Sequence, residues 1–496
     1  MPDAKVDNKE SEHQMEPQFV RMTTKWLTAA ILLAALSSCT GVVSETPAQG
    51  NVDGLKVGME KAGFVVAEGV FEIFDIIKMY DTGLIPSCWG NNPSTPYMIY
   101  KLPLAPGQTV PNTLTEGVIN PERKGLWNDY RLRSDEAIVF VGVTPPEVKY
   151  FSYRSYLAIR YFPAEGKGRR IFASLGDTIN NLEIKTAGTP NGAKGNPFSQ
   201  ETIVITTADK GTDAKVRSAI QAAGYSLSVV NTDTIPAGLM KMGLDEQADT
   251  FTFIHRVAFF ADPVAGQHYI TQFKGRVFRV TPSTVSTPEP FPVQPLKVRG
   301  TGDTSELNLM AAVDELRQAI LAKHGSANAT ELGTRIWLLE GNDAIQRGVD
   351  VIGENRDTFY LRSDPFTLAD KADEYLIIYG VNHAATGKAT YSNFGMYGEK
   401  AINGVGAIAS DALTGTAEAY LPNNPAAKYL YVYKVARDAR GDSLCLEVKY
   451  GVGAAGVDLD QEAFIGFRAY LEPSTKVGPN WFEVLYDRVI KFSATD

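Results

Sequence analysis

The sequence predicts a strand-rich α+β fold built from two related domains, each a sandwich or curved sheet with a few helices. Three observations carry that expectation. Short runs of β-branched and aromatic residues, bounded by Gly, Pro, Asn or Asp, recur along the chain, a composition that suits pleated, half-buried surfaces. Helical periodicity is confined to a few segments. A set of segments in the first half also returns in the same order in the second, which is the mark of an internal duplication. The 496 residues are 44% hydrophobic, enough for sizeable cores and for more than one domain of the usual ~100–150 residues. A net charge of −9 without a basic run argues against nucleic acid as a partner.

The first element is a targeting segment. Met22-Thr23-Thr24-Lys25 reads as a short basic n-region and Trp26 to Leu36 as an apolar h-region, too short for a bilayer of ~30 Å, which takes about 20 apolar residues, but suited to a secretory signal. Residues 1–21 carry five acidic side chains, so translation is expected to start at Met22. Cys39 follows Leu36-Ser37-Ser38, and this ending resembles the lipobox of bacterial lipoproteins. The resemblance implies cleavage after a signal region 1–38, acylation of Cys39, and anchoring outside the cytoplasm, in the outer membrane where the host has one, since Thr40 rather than Asp follows. An ordinary cleaved signal and an uncleaved anchor are the alternatives. Residues 39–56 then comprise the lipidated Cys and a small, polar tether.

A helix is expected over Leu55–Tyr80, with Phe64, Val65, Val70, Phe71, Phe74, Ile77 and Met79 on a broad apolar face. The Pro-rich stretch from Pro282 to Pro295 resists both helix and central strand. It sets the expected division into a first domain 57–281, a linker 282–299 and a second domain 300–496. A second helix is expected over Leu307–Lys323, stopped at His324-Gly325. Asp213 to Ala223 reads as a helix between strands Glu201–Thr206 and Leu227–Val230, the one βαβ-like piece.

The repeat itself begins with the pattern G-x-N-x-x-T-x-Y, formed by Gly90, Asn92, Thr95 and Tyr97 and again by Gly353, Asn355, Thr358 and Tyr360. Downstream, Asp135–Val143 answers Asp373–Val381, and Tyr150-Phe151-Ser152-Tyr153 answers Thr390-Tyr391-Ser392-Asn393. Asn196-Pro197 with Thr202–Asp209 answers Asn424-Pro425 with Leu430–Asp438. Strands are expected at Ala137–Val143, Val148–Ile159, Glu201–Thr206, Leu376–Val381 and Tyr429–Val435. No Gly-rich phosphate loop follows any of them, and no cofactor is expected. Beyond Cys39 only Cys88 and Cys445 remain, too few for a cysteine-ligated zinc site. They would pair in an oxidising compartment or stand as separate thiols. No pair of histidines has metal-ligand spacing, so no metal is expected.

Asn355, Asp357, Thr358 and Tyr360, followed by a strand and an aromatic-Ser segment, resemble a family of secreted bacterial proteins defined only as a domain of unknown function. That family's Pro-bearing turn and Lys-Tyr-aromatic-Ser strand match Thr144-Pro145-Pro146 and Lys149-Tyr150-Phe151-Ser152. The resemblance implies a β-rich extracytoplasmic fold and no activity. Its Asp is replaced by Ser94 in the first copy.

Asn, Asp and Thr commonly bond their own backbone at turns, so the repeated motif has a purely structural reading. A functional one rests on the differences between copies: Arg356-Asp357 stands where the first has Pro93-Ser94, and Asn382-His383 where it has Thr144-Pro145. A catalytic arrangement would use His383 as base, Asp357 to hold its tautomer and Ser392 as nucleophile. Asn355, Arg356, Tyr360, Asn382 and Arg437 are the candidate ligand-binding residues, with Arg437 placed to clamp a carboxylate. Two functions follow. One is a lipid-anchored binding or envelope-structural protein with an inter-domain cleft lined by Tyr150, Tyr153, Tyr156, Tyr391, Tyr397, Tyr431 and Tyr433, taking a small molecule or envelope component. The other is a periplasmic or surface hydrolase with its site in the second repeat.

Overall fold

A computed structural model describes residues 50–93, 96–112, 123–451 and 453–493. The signal segment, Cys39, most of the tether, and Ser94 and Thr95 of the first motif lie outside the described residues. The first half contributes β1 (Phe64–Ile73), β2 (Tyr97–Lys101), β3 (Ala137–Val143), β4 (Val148–Phe162), β5 (Lys167–Ser174), β6 (Ile179–Asn180), β7 (Glu201–Thr207), β8 (Val230–Thr234), β9 (Thr250–Phe260) and β10 (Arg276–Pro282). They form one ten-stranded sheet in the order β5-β4-β9-β2-β1-β10-β3-β7-β8, with β6 on β4. The second half contributes β11 (Ala329–Leu332), β12 (Thr334–Ile336), β13 (Thr358–Ser363), β14 (Tyr375–Val381), β15 (Tyr391–Gly398), β16 (Gly404–Ala409), β17 (Leu430–Ala436), β18 (Cys445–Glu447), β19 (Ala463–Tyr470) and β20 (Arg488–Phe492). These form two five-stranded sheets, β11-β20-β14-β17-β18 and β12-β13-β19-β15-β16. The fold is strand-rich α+β, as the sequence predicts. No described helix is long and apolar enough to cross a membrane.

The long helix expected over Leu55–Tyr80 is instead a helix at Val52–Lys61, the strand β1 and a short helix at Ile76–Asp81. Gly63, at φ +91°, ends the first helix in a conformation costly for other residues. The run after it, FVVAEGVFEI, is β-branched and aromatic, and pairing on both sides with β10 and β2 decides its state. The second helix runs Met310–His324 and stops at Gly325, φ 92°. The βαβ piece is also present: β7, a helix at Lys210–Ala222 and β8, with β7 and β8 parallel. Its second strand starts at Val230, because Leu227–Val229 form a 3₁₀ turn.

Both halves follow one strand path. Joining the second-half sheets through β11 and β12 gives β16-β15-β19-β13-β12/β11-β20-β14-β17-β18, position for position the order of the first half. Where β1 passes from β10 to β2, at Gly69-Val70, the second half breaks between β11 and β12 at Gly333. A side chain at Gly69 would meet the Lys101 carbonyl oxygen at 2.4 Å. The registers agree too: Tyr97 faces Arg256 as Tyr360 faces Arg468. One sequence match slips by a residue. Tyr150 stands two places from Ser152, the partner of Arg256, and Tyr391 two places from Asn393, the partner of Arg468. Tyr150 therefore answers Tyr391, not Thr390, and Ser392 falls on the opposite face of its strand.

The N-terminal helix of each half covers the same part of its sheet. Leu55 and Met59 pack on Ala137, Val139, Ile205 and Val280. Val313, Leu316 and Ile320 pack on Ile377, Tyr379, Leu430 and Ile490. The segments between β1 and β2 and between β12 and β13 each form an arm that contacts the other half. Ala344, Ile345 and Val351 join the first half's core, while Ala454 of the second half packs with Met79, Cys88 and Trp89.

Candidate functional site

The repeated motif sits at the tips of these arms. Cys88 and Gly90 donate their amides to Ala401 and Ile402 of the second half, and Val351 and Gly353 donate theirs to Ile171 and Phe172 of the first. Gly90 and Gly353 have φ +66° and +77°, and a side chain there would lie 2.8 Å from the rings of Trp337 and Phe172. Left-handed backbone and close ring contact together account for Gly opening both motifs. Both motif asparagines meet tyrosines: Asn355 Nδ2 donates to Tyr150 Oη at 2.6 Å, and the Asn92 backbone N–H donates to Tyr97 Oη at 2.9 Å. The motif is thus a clasp between the halves.

Between the clasps lies a cavity of about 70 Å³. Its walls draw on corresponding positions of the two halves: Phe74 and Trp337, Trp89 and Ile352, Tyr97 and Tyr360. Arg256 on β9 and Arg468 on β19 also line it, and are 8% and 5% exposed. Arg256 donates from Nε to Tyr156 Oη at 3.2 Å and from Nη2 to the Gly353 carbonyl. Arg468 donates from Nη1 to Tyr397 and from Nη2 to the Gly90 carbonyl at 2.7 Å. Each arginine thereby reads the motif backbone of the other half. The guanidinium carbons lie 5.1–5.6 Å from the ring centres of Tyr97 and Tyr156, and of Trp337, Tyr360 and Tyr397, within cation–π range. Neither guanidinium has a carboxylate partner among the described residues. Buried Arg154, Arg279 and Arg356, by contrast, pair with Asp233, Glu136 and Asp177. Glu354, adjoining Gly353, bonds Ser174 at 2.7 Å, and burial pushes its carboxyl up to about 7.

The expected site residues are all buried, and only Tyr360 lines the cavity. Asp357 accepts from Tyr150 at 2.7 Å, from Thr178 and from Asn180 at 3.1 Å, all in the first half; burial lifts its carboxyl to about 6. His383 Nδ1 donates to Glu306 at 3.0 Å, and Nε2 lies 3.6 Å from Asp487. Burial alone would lower the imidazole's pKa, but these two carboxylates raise it to about 10. The Ser392 backbone N–H donates to Ser410 Oγ at 3.4 Å. Asp357 and His383 therefore bond separate partners, and no hydrogen bond among the described residues links either of them to Ser392.

The remaining candidates stitch the fold. Arg356 is held by Asp177 at 2.7 Å, by Glu340 and by the Lys297 carbonyl. Asn382 ties Ser410 and the turn at Ala384. Arg437 donates to the carbonyls of Leu368, Lys449, Val457 and Asp458, so its donors clamp backbone rather than a carboxylate. None of the seven tyrosines expected to line a cleft lines this cavity, although Tyr156 and Tyr397 hold its arginines. Cys88 and Cys445 are both free, and burial, with Asp81 nearby, pushes the Cys88 thiol up to about 12. Sequence reasoning missed Arg256 and Arg468. Their signal was a lone cation inside an otherwise apolar strand, TFTFIHRVAFF and AFIGFRAY.

No family model matches the chain. No curated protein matches it. A solved structure of an uncharacterized protein from Burkholderia cenocepacia is similar at 12% identity and a TM-score of 0.38, covering 90% of this chain and 91% of that one. A protein from Vibrio parahaemolyticus is similar at 10% identity and a TM-score of 0.37, over 89% of this chain and 99% of its own.

Proposed function

We propose that this chain is a lipid-anchored extracytoplasmic protein of the cell envelope, tethered through Cys39, whose two halves act together as a small-molecule binding module. The halves, 57–281 and 300–496, are on this reading the products of one duplicated unit, a view supported by their common strand path. The observation that carries the binding role is the cavity between the clasps, with apolar and aromatic walls and a few convergent polar groups, the usual make-up of a ligand site. Binding is favoured over hydrolysis because Asp357 and His383 are engaged with partners other than each other and Ser392.

The anchor is tested by growth with labelled palmitate. The wild-type chain is expected to incorporate label and to fractionate with membranes, while Cys39→Ala incorporates none. Unlabelled wild-type protein would remove the anchor from the proposal and leave the binding role standing.

A further inference from the structure

Two buried cations share one small cavity, and neither forms an ion pair among the described residues, Glu354 acting on Arg256 only through space. Removing a guanidinium from water costs several kcal/mol, and buried arginines elsewhere in this molecule meet a carboxylate, as Arg154, Arg279 and Arg356 do, or a set of carbonyls, as Arg437 does. Arg256 and Arg468 have neither. Each carries five N–H donors, and the bonds to a tyrosine and a glycine carbonyl engage two of its nitrogens. A further donor stands nearby: Trp89 lines the same cavity, and its buried indole N–H has no acceptor among the described residues.

We infer that the cavity takes the carboxylate of a small organic acid, its charge set between Arg256 and Arg468 and its carbon skeleton against the ring and isoleucine walls. This rests on the binding role proposed above and names its ligand class. A carboxylate fits better than a phosphate. Phosphates are usually cradled by backbone N–H groups, whereas the amides of Gly90 and Gly353 are already given to Ile402 and Phe172, and the carbonyls of those glycines face the arginines. Ile76, Ile99, Phe172 and Ile352 in the wall suit hydrocarbon. The space of about 70 Å³ is about half of the ~150 Å³ that admits benzene, which points to an acid of about two to four carbons.

The test is equilibrium binding to the full chain in detergent, followed by tryptophan fluorescence, since Trp89 and Trp337 line the cavity, and by thermal shift. Propionate is expected to bind saturably and raise the melting temperature, while the isosteric, uncharged propionamide and inorganic phosphate leave both signals unchanged. Arg256→Met and Arg468→Met should each weaken propionate by at least about tenfold, as expected when one charge-assisted contact is lost. The comparison of propionate with propionamide is made on the wild-type protein, so it stands even if a variant fails to fold. Equal responses to acid and amide, a phosphate response as large as that to propionate, no response to propionate, or undiminished binding in both folded variants would overturn the inference. A neutral compound that bound and was lost in Tyr360→Ala would overturn the acid while sparing the binding role. Absence of binding by any small molecule would overturn both.

Discussion

His383 shows how a residue with catalytic credentials becomes structural once its partners are known. Its imidazolium lies between Glu306 and Asp487, Glu306 also accepts from Thr386 and from the Leu485 amide, and Tyr431 donates to Asp487 at 2.6 Å. Breaking such a buried pair by removing one member costs roughly 3–5 kcal/mol. His383→Ala is therefore expected to lower stability to urea by about that amount at pH 6. The pKa rises on folding from 6.5 to about 10. The contribution is fully present below pH 6.5 and is lost as the pH climbs through about 10, so the gap between wild type and variant should close over that window. Denaturation curves at several pH values measure it, and a gap that widened with pH would contradict the assignment. The sequence marked His383 as a polar residue behind a strand, which is where it lies. It gave no sign of Glu306, 77 residues upstream, because charge pairing across such a separation is set by topology.

At the scale of elements, the reading was best where alternation and turn residues agree. β3 matches its expected bounds, and β14 and β17 lie within a residue of theirs. It failed over Leu55–Tyr80, where apolar residues are dense enough to satisfy helical and strand periods alike. Gly63 was the available arbiter. The repeated motif was aligned in the correct register, Tyr97 with Tyr360, yet its purpose was hidden, because each copy's clasp closes on the other half. Gly353→Val tests that purpose. The residue has φ +77°, and a side chain would press on the Phe172 ring; left-handed strain and overpacking together are expected to cost about 2–5 kcal/mol. Urea denaturation should show that loss for both Gly353→Val and Gly90→Val. A valine tolerated without loss at either position would mean that the arm is not held as described.

At the scale of the whole molecule, the two halves are joined through arms that reach across the divide. Ala344, Ile345 and Val351 complete the first core, Asp81 accepts from the Ala454 amide at 2.8 Å, and Arg256 and Arg468 each bond a motif carbonyl across the divide. The Pro-rich stretch does not hang free between the halves. The Phe291 amide donates to Ala208 and the Lys210 amide to Glu289, so it lies along the first half. Composition and repeats pointed to two halves, and these share a strand path. The reach of the arms was not legible, since nothing in a single half's sequence records which half its arm serves. Because the second half's arm completes the first half's core and the tip of each arm bonds the other half, neither should melt alone. Scanning calorimetry of the full chain tests this most directly. The account predicts one transition whose calorimetric and van't Hoff enthalpies agree, shifted down as a unit by Gly353→Val. Two resolved transitions, with the variant lowering only one of them, would contradict it.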